Sequence, residues 1–369
     1  MSRIRSFNET FNKTIKLSYQ SGIGLIELLV SMLIGLFIMA GVVQMFSTSS
    51  QNAIAVSGSS RIQENVRFAF SRIADDISQS GSLGCISSSV ATSGFSMNNP
   101  VASEVITLAS ATFDFETPIR VSNAPDVGTV AAPAGDRAPG TDEFSIGYVD
   151  NAVRLDVTAI GADSVTVAAA DLISASIDPG DIVSVSNCYE AAIFSVSARD
   201  NATGVISHVN TFDKNINISS FTPNDGSVNV ISPFYLYGGK TGAYEYSIGT
   251  SAAAGAACIS APPTPALGQE NCALFRTRND LAAGVTTRQE LAQGVHDIQV
   301  AYGWTDNGGN LFFADAPTAA QSALVDRIKV TMAFNSIDNV NTVGNNIDQT
   351  ASGLILKTYS RTFNLFNRL

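Results

Sequence analysis

Residues 21–46, SGIGLIELLVSMLIGLFIMAGVVQMF, contain one ionisable side chain, Glu27. No other stretch restricts the possible folds as strongly. From residue 23 the run would span ~36 Å as an α-helix, against a hydrocarbon core of ~30 Å. Apolar residues occur all the way round such a helix, with no polar face for water, and this fits a membrane span better than a helix lying on a soluble domain. A secretory signal peptide has a shorter apolar region of ~7–15 residues followed by a small-residue cleavage site. Here the run is longer, and Gly22 precedes it.

Charge orients this span. The first 22 residues carry Arg3, Arg5, Lys13 and Lys16 against Glu9, a net +3, leaving −14 on the rest of a chain whose total is −11. Basic residues stay on the cytoplasmic side, which sends the chain after about residue 47 across the membrane. So acidic a remainder is repelled by nucleic acid, which is held largely by Lys and Arg on phosphate, and no nucleic-acid partner is expected. Sparse charge (14% of residues) with abundant Gly suits a β-rich extracytoplasmic fold.

The four cysteines, Cys85, Cys188, Cys258 and Cys272, contain no CxxC pair, and only His208 and His296 would add imidazole ligands. Zinc spacing is absent, so no metal is expected. Across the membrane disulfides persist. Four cysteines admit three pairings. The short loop favours Cys258 with Cys272, which leaves Cys85 with Cys188.

Insertion alone does not account for Glu27. A carboxylate at the centre of a span costs ~2.5–3.5 kcal/mol, less towards an end, and such residues have partners. The span holds no Lys or Arg. A cut after Gly22 would make Glu27 the fifth residue of the mature chain, within reach of the α-amine of a neighbouring helix. A basic leader, a glycine and an apolar run with glutamate at that position together resemble the signal of type IV prepilins. The resemblance implies that a membrane-embedded prepilin peptidase cuts after Gly22, that Ile23 becomes the methylated N-terminus, and that Glu27 sets the register of the subunit in a filament.

Helical spacing continues past the membrane. Ile62, Val66, Ala69, Ile73 and Ile77 recur three and four apart, with Arg61, Glu64, Arg67, Arg72, Asp75 and Asp76 on the other sides. Gly58 is a soft point, costing about 1 kcal/mol relative to Ala. Ser80, Gly81 and Gly84 supply the stop. Beyond residue 81, short β-type runs alternate with Gly, Pro, Asn and Asp: DEFSIGYVD (142–150), DIVSVSNCYEAAIFSVSA (181–198), SVNVISPFYLYGG (227–239), VHDIQVAYGW (295–304), DRIKVTMAF (326–334) and KTYSRTFNLF (357–366). The expected organisation is a leader over 1–22, a helix over 23–80 that is transmembrane over about 23–46, and a β-rich periplasmic region over 81–369 in one or two lobes. The fold class is α+β, a long N-terminal helix packed on a β-rich domain.

Several of these runs sharpen the resemblance. RIQENVRFAFSRIADDISQSGSLGC (61–85), PGDIVSVSNC with AAIFSVS, LAQGVHDIQVAYGW and VDRIKVTMAFNS are similar to segments of PilW-type minor pilins. The resemblance implies a minor pilin that helps prime type IV pilus assembly and forms part of the tip complex. Its implied partners are other minor pilins and the major pilin through the N-terminal helix, the prepilin peptidase, and a large tip adhesin. It implies residence in the inner membrane as a single-pass protein before the chain joins the pilus. A minor pseudopilin of a type II secretion system keeps the same helix and is the alternative. Gene deletion separates the two, since loss of pili with normal secretion points to the pilin.

Chemistry elsewhere is thin. YGGKTG (237–242) carries part of a phosphate loop, but Phe234 stands where its first glycine is needed. TDNGGNLFFAD (305–315) offers Asp306, Asn307, Asn310 and Asp315 to calcium but lacks the alternating Asp and terminal Glu of a calcium loop, and its Asn-Gly-Gly core reads as a tight turn. His208 and His296 read as surface or hydrogen-bonded strand residues, and Trp304 with Tyr235 and Tyr237 as cross-strand packing. No catalytic constellation appears, so neither an enzyme nor a cofactor is expected.

Overall fold

The computed structural model describes residues 24–81, short strands between 101 and 122, most of 138–208, 235–258 and 271–337, and 354–365. Contacts divide the chain into a unit up to Ala53 and a unit Ile54–Leu369. One helix, Leu25–Gln79, contributes to both. It contains no proline, and it ends where Ser80 N donates to Ile77 O (3.0 Å) and Gly81 adopts φ +70°, a left-handed conformation that glycine takes without cost. Gly58 does not interrupt it and is buried.

In the second unit the helix buries the stripe Ile62, Ala69, Phe70, Ile73 and Ile77, with Val66 half-buried. Each fully buried side chain of this size contributes about 1.5–3 kcal/mol relative to exposure. The stripe joins a core shared by two antiparallel sheets. One sheet runs, in spatial order, Thr286–Gln293, Cys272–Asp280, Gly242–Thr250, Glu143–Tyr148 and Ile119–Ser122. The other runs Leu311–Ala314, Val295–Thr305, Val325–Asn335 and Leu356–Asn364. Alternation decides which side chains enter the core: Ile328, Val330, Met332 and Phe334 point in from one strand, Ile298 and Val300 from its neighbour.

Gly294 joins the two sheets. Its N–H donates to Cys272 O (2.8 Å), and its carbonyl accepts from Asn335 N (2.7 Å). Its φ is +72°, and a Cβ there would fall 2.4 Å from Asn335 O. Only glycine fits both the backbone angle and the close approach.

Between Tyr148 and Gly242, which face each other in register, the chain builds a second structure. Six strands pair antiparallel round a ring: Ile182–Ser186, Ala191–Asp200, Val205–His208, Ser164–Val167, Arg154–Ile160 and Tyr235–Tyr237, the last returning to the first. Arg154–Ile160 and Ala191–Asp200 are long enough for each half to pair with a different neighbour, and this closes the barrel. Its interior holds Val165, Val167, Val183, Val185, Phe194, Ile206 and Leu236, a cluster separate from the core beneath the long helix. The short helix Ala169–Ala175 adds Leu172 to this interior. The sequence reading carried no helix here, since fewer than two turns with one inward side chain leave no periodic signal.

Candidate functional site

The first turn of the long helix begins at Gly24, whose carbonyl accepts from the backbone N–H of Glu27 (2.9 Å) and of Leu28 (3.2 Å). Every residue from 24 to 50 is exposed. This part of the helix is long and apolar enough to be a single membrane span or signal anchor. Between Leu25 and Val43 only Glu27 and Ser31 have polar side chains. The Ser31 hydroxyl lies within hydrogen-bonding distance of the backbone carbonyls of Glu27 (2.7 Å) and Leu28 (3.0 Å), so its polarity is satisfied inside the helix. The Glu27 carboxylate differs, since among the described residues none forms an ion pair with it. Gly22 and Ile23, the expected processing site, lie outside the described residues.

At the other end of the helix a second carboxylate is handled in the opposite way. Asp76, whose side chain is 1% exposed, faces the sheet, whereas the sequence reading placed it on the polar side. Arg276 Nε donates to its Oδ2 (2.6 Å) and Nη2 to its Oδ1 (2.9 Å), and the Tyr246 hydroxyl donates to Oδ2 as well. Arg72, one turn earlier, stands 3.8 Å away. The Arg276 guanidinium lies over the Tyr244 ring at 3.4 Å, and Tyr244 stacks on Tyr148 at 4.2 Å. Burial works against the Arg276 charge, but the Asp76 hydrogen bonds and attraction more than offset it and its pKa is raised. Burial, then the Asp76 charge, push the Tyr246 phenol far up, so it stays a donor. The cluster therefore ties the helix end to the strands carrying Tyr246 and Arg276. Aspartate at 76 lies on the buried stripe with Ile73 and Ile77, three residues after one and next to the other. That spacing is the one signal that could have found it, and it needed Arg276, 200 residues on, to make sense.

A disulfide joins Cys258 and Cys272, while Cys85 and Cys188 lie outside the described residues. In the segment 305–315, whose Asn-Gly-Gly core reads as a tight turn, Asp306 is occupied by that turn. Its Oδ1 accepts from Gly308 N (2.9 Å) and Asn310 N (2.7 Å), and its Oδ2 from Asn310 Nδ2 (3.1 Å). Asn307 lies outside the described residues, as do 238–241 of the YGGKTG segment. No three candidate metal ligands converge among the described residues. His296 is buried, with Nδ1 3.1 Å from Asn335 Oδ1. His208 is buried against Phe194, with ring centroids 4.8 Å apart. Trp304 stacks on Phe312, its partner in the strand register, and Tyr235 meets Tyr237 edge-on.

Comparisons with family models, with curated proteins and with solved structures return no match.

Proposed function

We propose that this chain is a PilW-type minor pilin, held in the inner membrane by its apolar helix and then built into the tip complex that primes type IV pilus assembly. The observation that carries the reading is the Glu27 carboxylate, exposed in the first turn of a membrane-length helix and without a charged partner among the described residues. A charge so placed is stabilised by a cation from outside the helix. The α-amine released by cutting after Gly22 on a neighbouring subunit supplies that cation at the same depth.

The helix surface suits this role. Glu27, Ser31 and Gly35 follow at four-residue intervals and share a face. A Cβ at Gly35 or at Gly41 would meet nothing within 4 Å, so the chain's own packing does not require glycine there. Small residues on an apolar helix let a second helix approach closely. The sheets and barrel then remain outside the helix bundle to make lateral contacts.

Mass analysis of the mature N-terminus tests the reading. The expected product starts at a methylated Ile23. A protein that still begins at Met1 in cells assembling pili overturns it.

A further inference from the structure

The barrel between Tyr148 and Gly242 enters and leaves the five-stranded sheet at a single ladder position, because these two residues are register partners and Gly147 pairs with Ala243 next to them. The strands of that sheet would meet equally well across a short turn. The barrel also satisfies its own strands. Pairing closes round six of them, and among the described strands the one outside 149–241 that joins them is the three-residue Val101–Ser103, parallel to Ala191–Ile193. Its interior shares no residue with the core under the long helix. Local ties reinforce it: Arg199 pairs with Asp178 at 2.9 Å and donates to the Ile177 carbonyl, and Asp200 accepts from Ala202 N (2.9 Å) and the Thr203 hydroxyl (2.7 Å) in the hairpin turn.

One flank of the barrel is covered. Ile182, Ser184, Ser186 and Ile193 occupy the positions that alternate with its inward residues, yet all four are buried. Half of that flank is serine. Ile182 and Ile193 belong neither to the barrel interior nor to the core under the long helix.

We propose that the barrel strands between 149 and 241 form a guest module folding on their own core, and that the sheets and long helix form a host whose fold does not depend on the guest. The function that follows rests on the pilin reading above. Assembly belongs to the host, and the barrel is the part presented for contacts beyond the helix bundle.

The test uses the full-length protein in detergent and follows hydrogen exchange strand by strand. Phe194→Asp combined with Ile206→Asp places two carboxylates in the guest core, where both side chains are fully buried. Ile298→Asp does the same to the host. Regions that open as separate cooperative units lose protection separately. The guest double variant should exchange at least ~100-fold faster over 164–167, 182–186 and 191–208, while 272–280, 295–305 and 325–335 stay within about tenfold of wild type. Ile298→Asp should open the host strands and leave the guest strands protected, since the guest folds on its own core, and loss of protection in both regions in this variant overturns the proposal. Loss of protection in host and guest together in the Phe194/Ile206 variant, unchanged exchange in both, or failure to recover folded protein overturns the proposal. Exchange does not depend on N-terminal processing, so separated host and guest in a protein beginning at Met1 would keep the module and sink the pilin reading.

Discussion

Two carboxylates show how little a residue's type says without its surroundings. Glu27 and Asp76 lie on the same helix, yet one is exposed without a described partner and the other is enclosed by Arg276 and Tyr246. Removing one member of a buried pair strands the other charge. Asp76→Ala should therefore lower unfolding free energy in urea by roughly 3–5 kcal/mol. Asp75→Ala, on the exposed side, should stay within about 0.5 kcal/mol. Equal effects at the two positions would remove the anchor from the account. His296 makes a different prediction. Burial lowers its pKa, with the Asn335 hydrogen bond and Asp297 opposing, so the folded state favours the neutral ring. The unfolded chain takes up its proton first as pH falls below about 6.5, and the stability held by the neutral ring is lost from there downwards. Burial raises the pKa of neighbouring Asp297, which acts with opposite sign above the ordinary carboxylate value. Melting temperatures from pH 7 to 5.5 should fall less in His296→Gln than in wild type, and identical slopes would refute the role of the imidazole.

At the scale of elements, the long helix was the most legible part of the chain. Its apolar run and its Ile-Val-Ala stripe are local patterns that need no distant residue. The strands 143–148, 295–305 and 325–335 were legible for the same reason, since alternation marks them one residue at a time. Their neighbours were not, because pairing partners are set by registers between segments far apart, such as Gly242–Thr250 on Cys272–Asp280. The helix carries its own prediction. Glu27→Ala removes a charge from an apolar segment, so membrane insertion should be unimpaired, while incorporation into pili should fall. Membrane fractionation and immunoblotting of sheared pili measure the two, and wild-type pilus levels would count against Glu27 as the register residue.

The whole molecule separates by solvent. Large apolar side chains from Leu25 to Phe46 are exposed, whereas from Ile62 onwards the helix buries its apolar stripe in the sheets. A fragment of residues 54–369 should stay in water and unfold cooperatively, while the full chain should partition into detergent. Phase separation with a cloud-point detergent reads this directly. A full chain that stays in water would show that the apolar surface is covered by something within the chain, and a fragment that needs detergent would show that apolar surface is not confined to the first part of the helix.

Sequence alone determined the membrane-length helix, its lone carboxylate and the change from helical to strand periodicity, because each rests on residues within a few positions of one another. Tertiary structure decided which carboxylate is buried, how Gly294 couples two sheets, and that the chain between one pair of adjacent strands forms a closed barrel. Those features depend on contacts between residues tens to hundreds of positions apart, and local periodicity carries no record of which distant segments will meet.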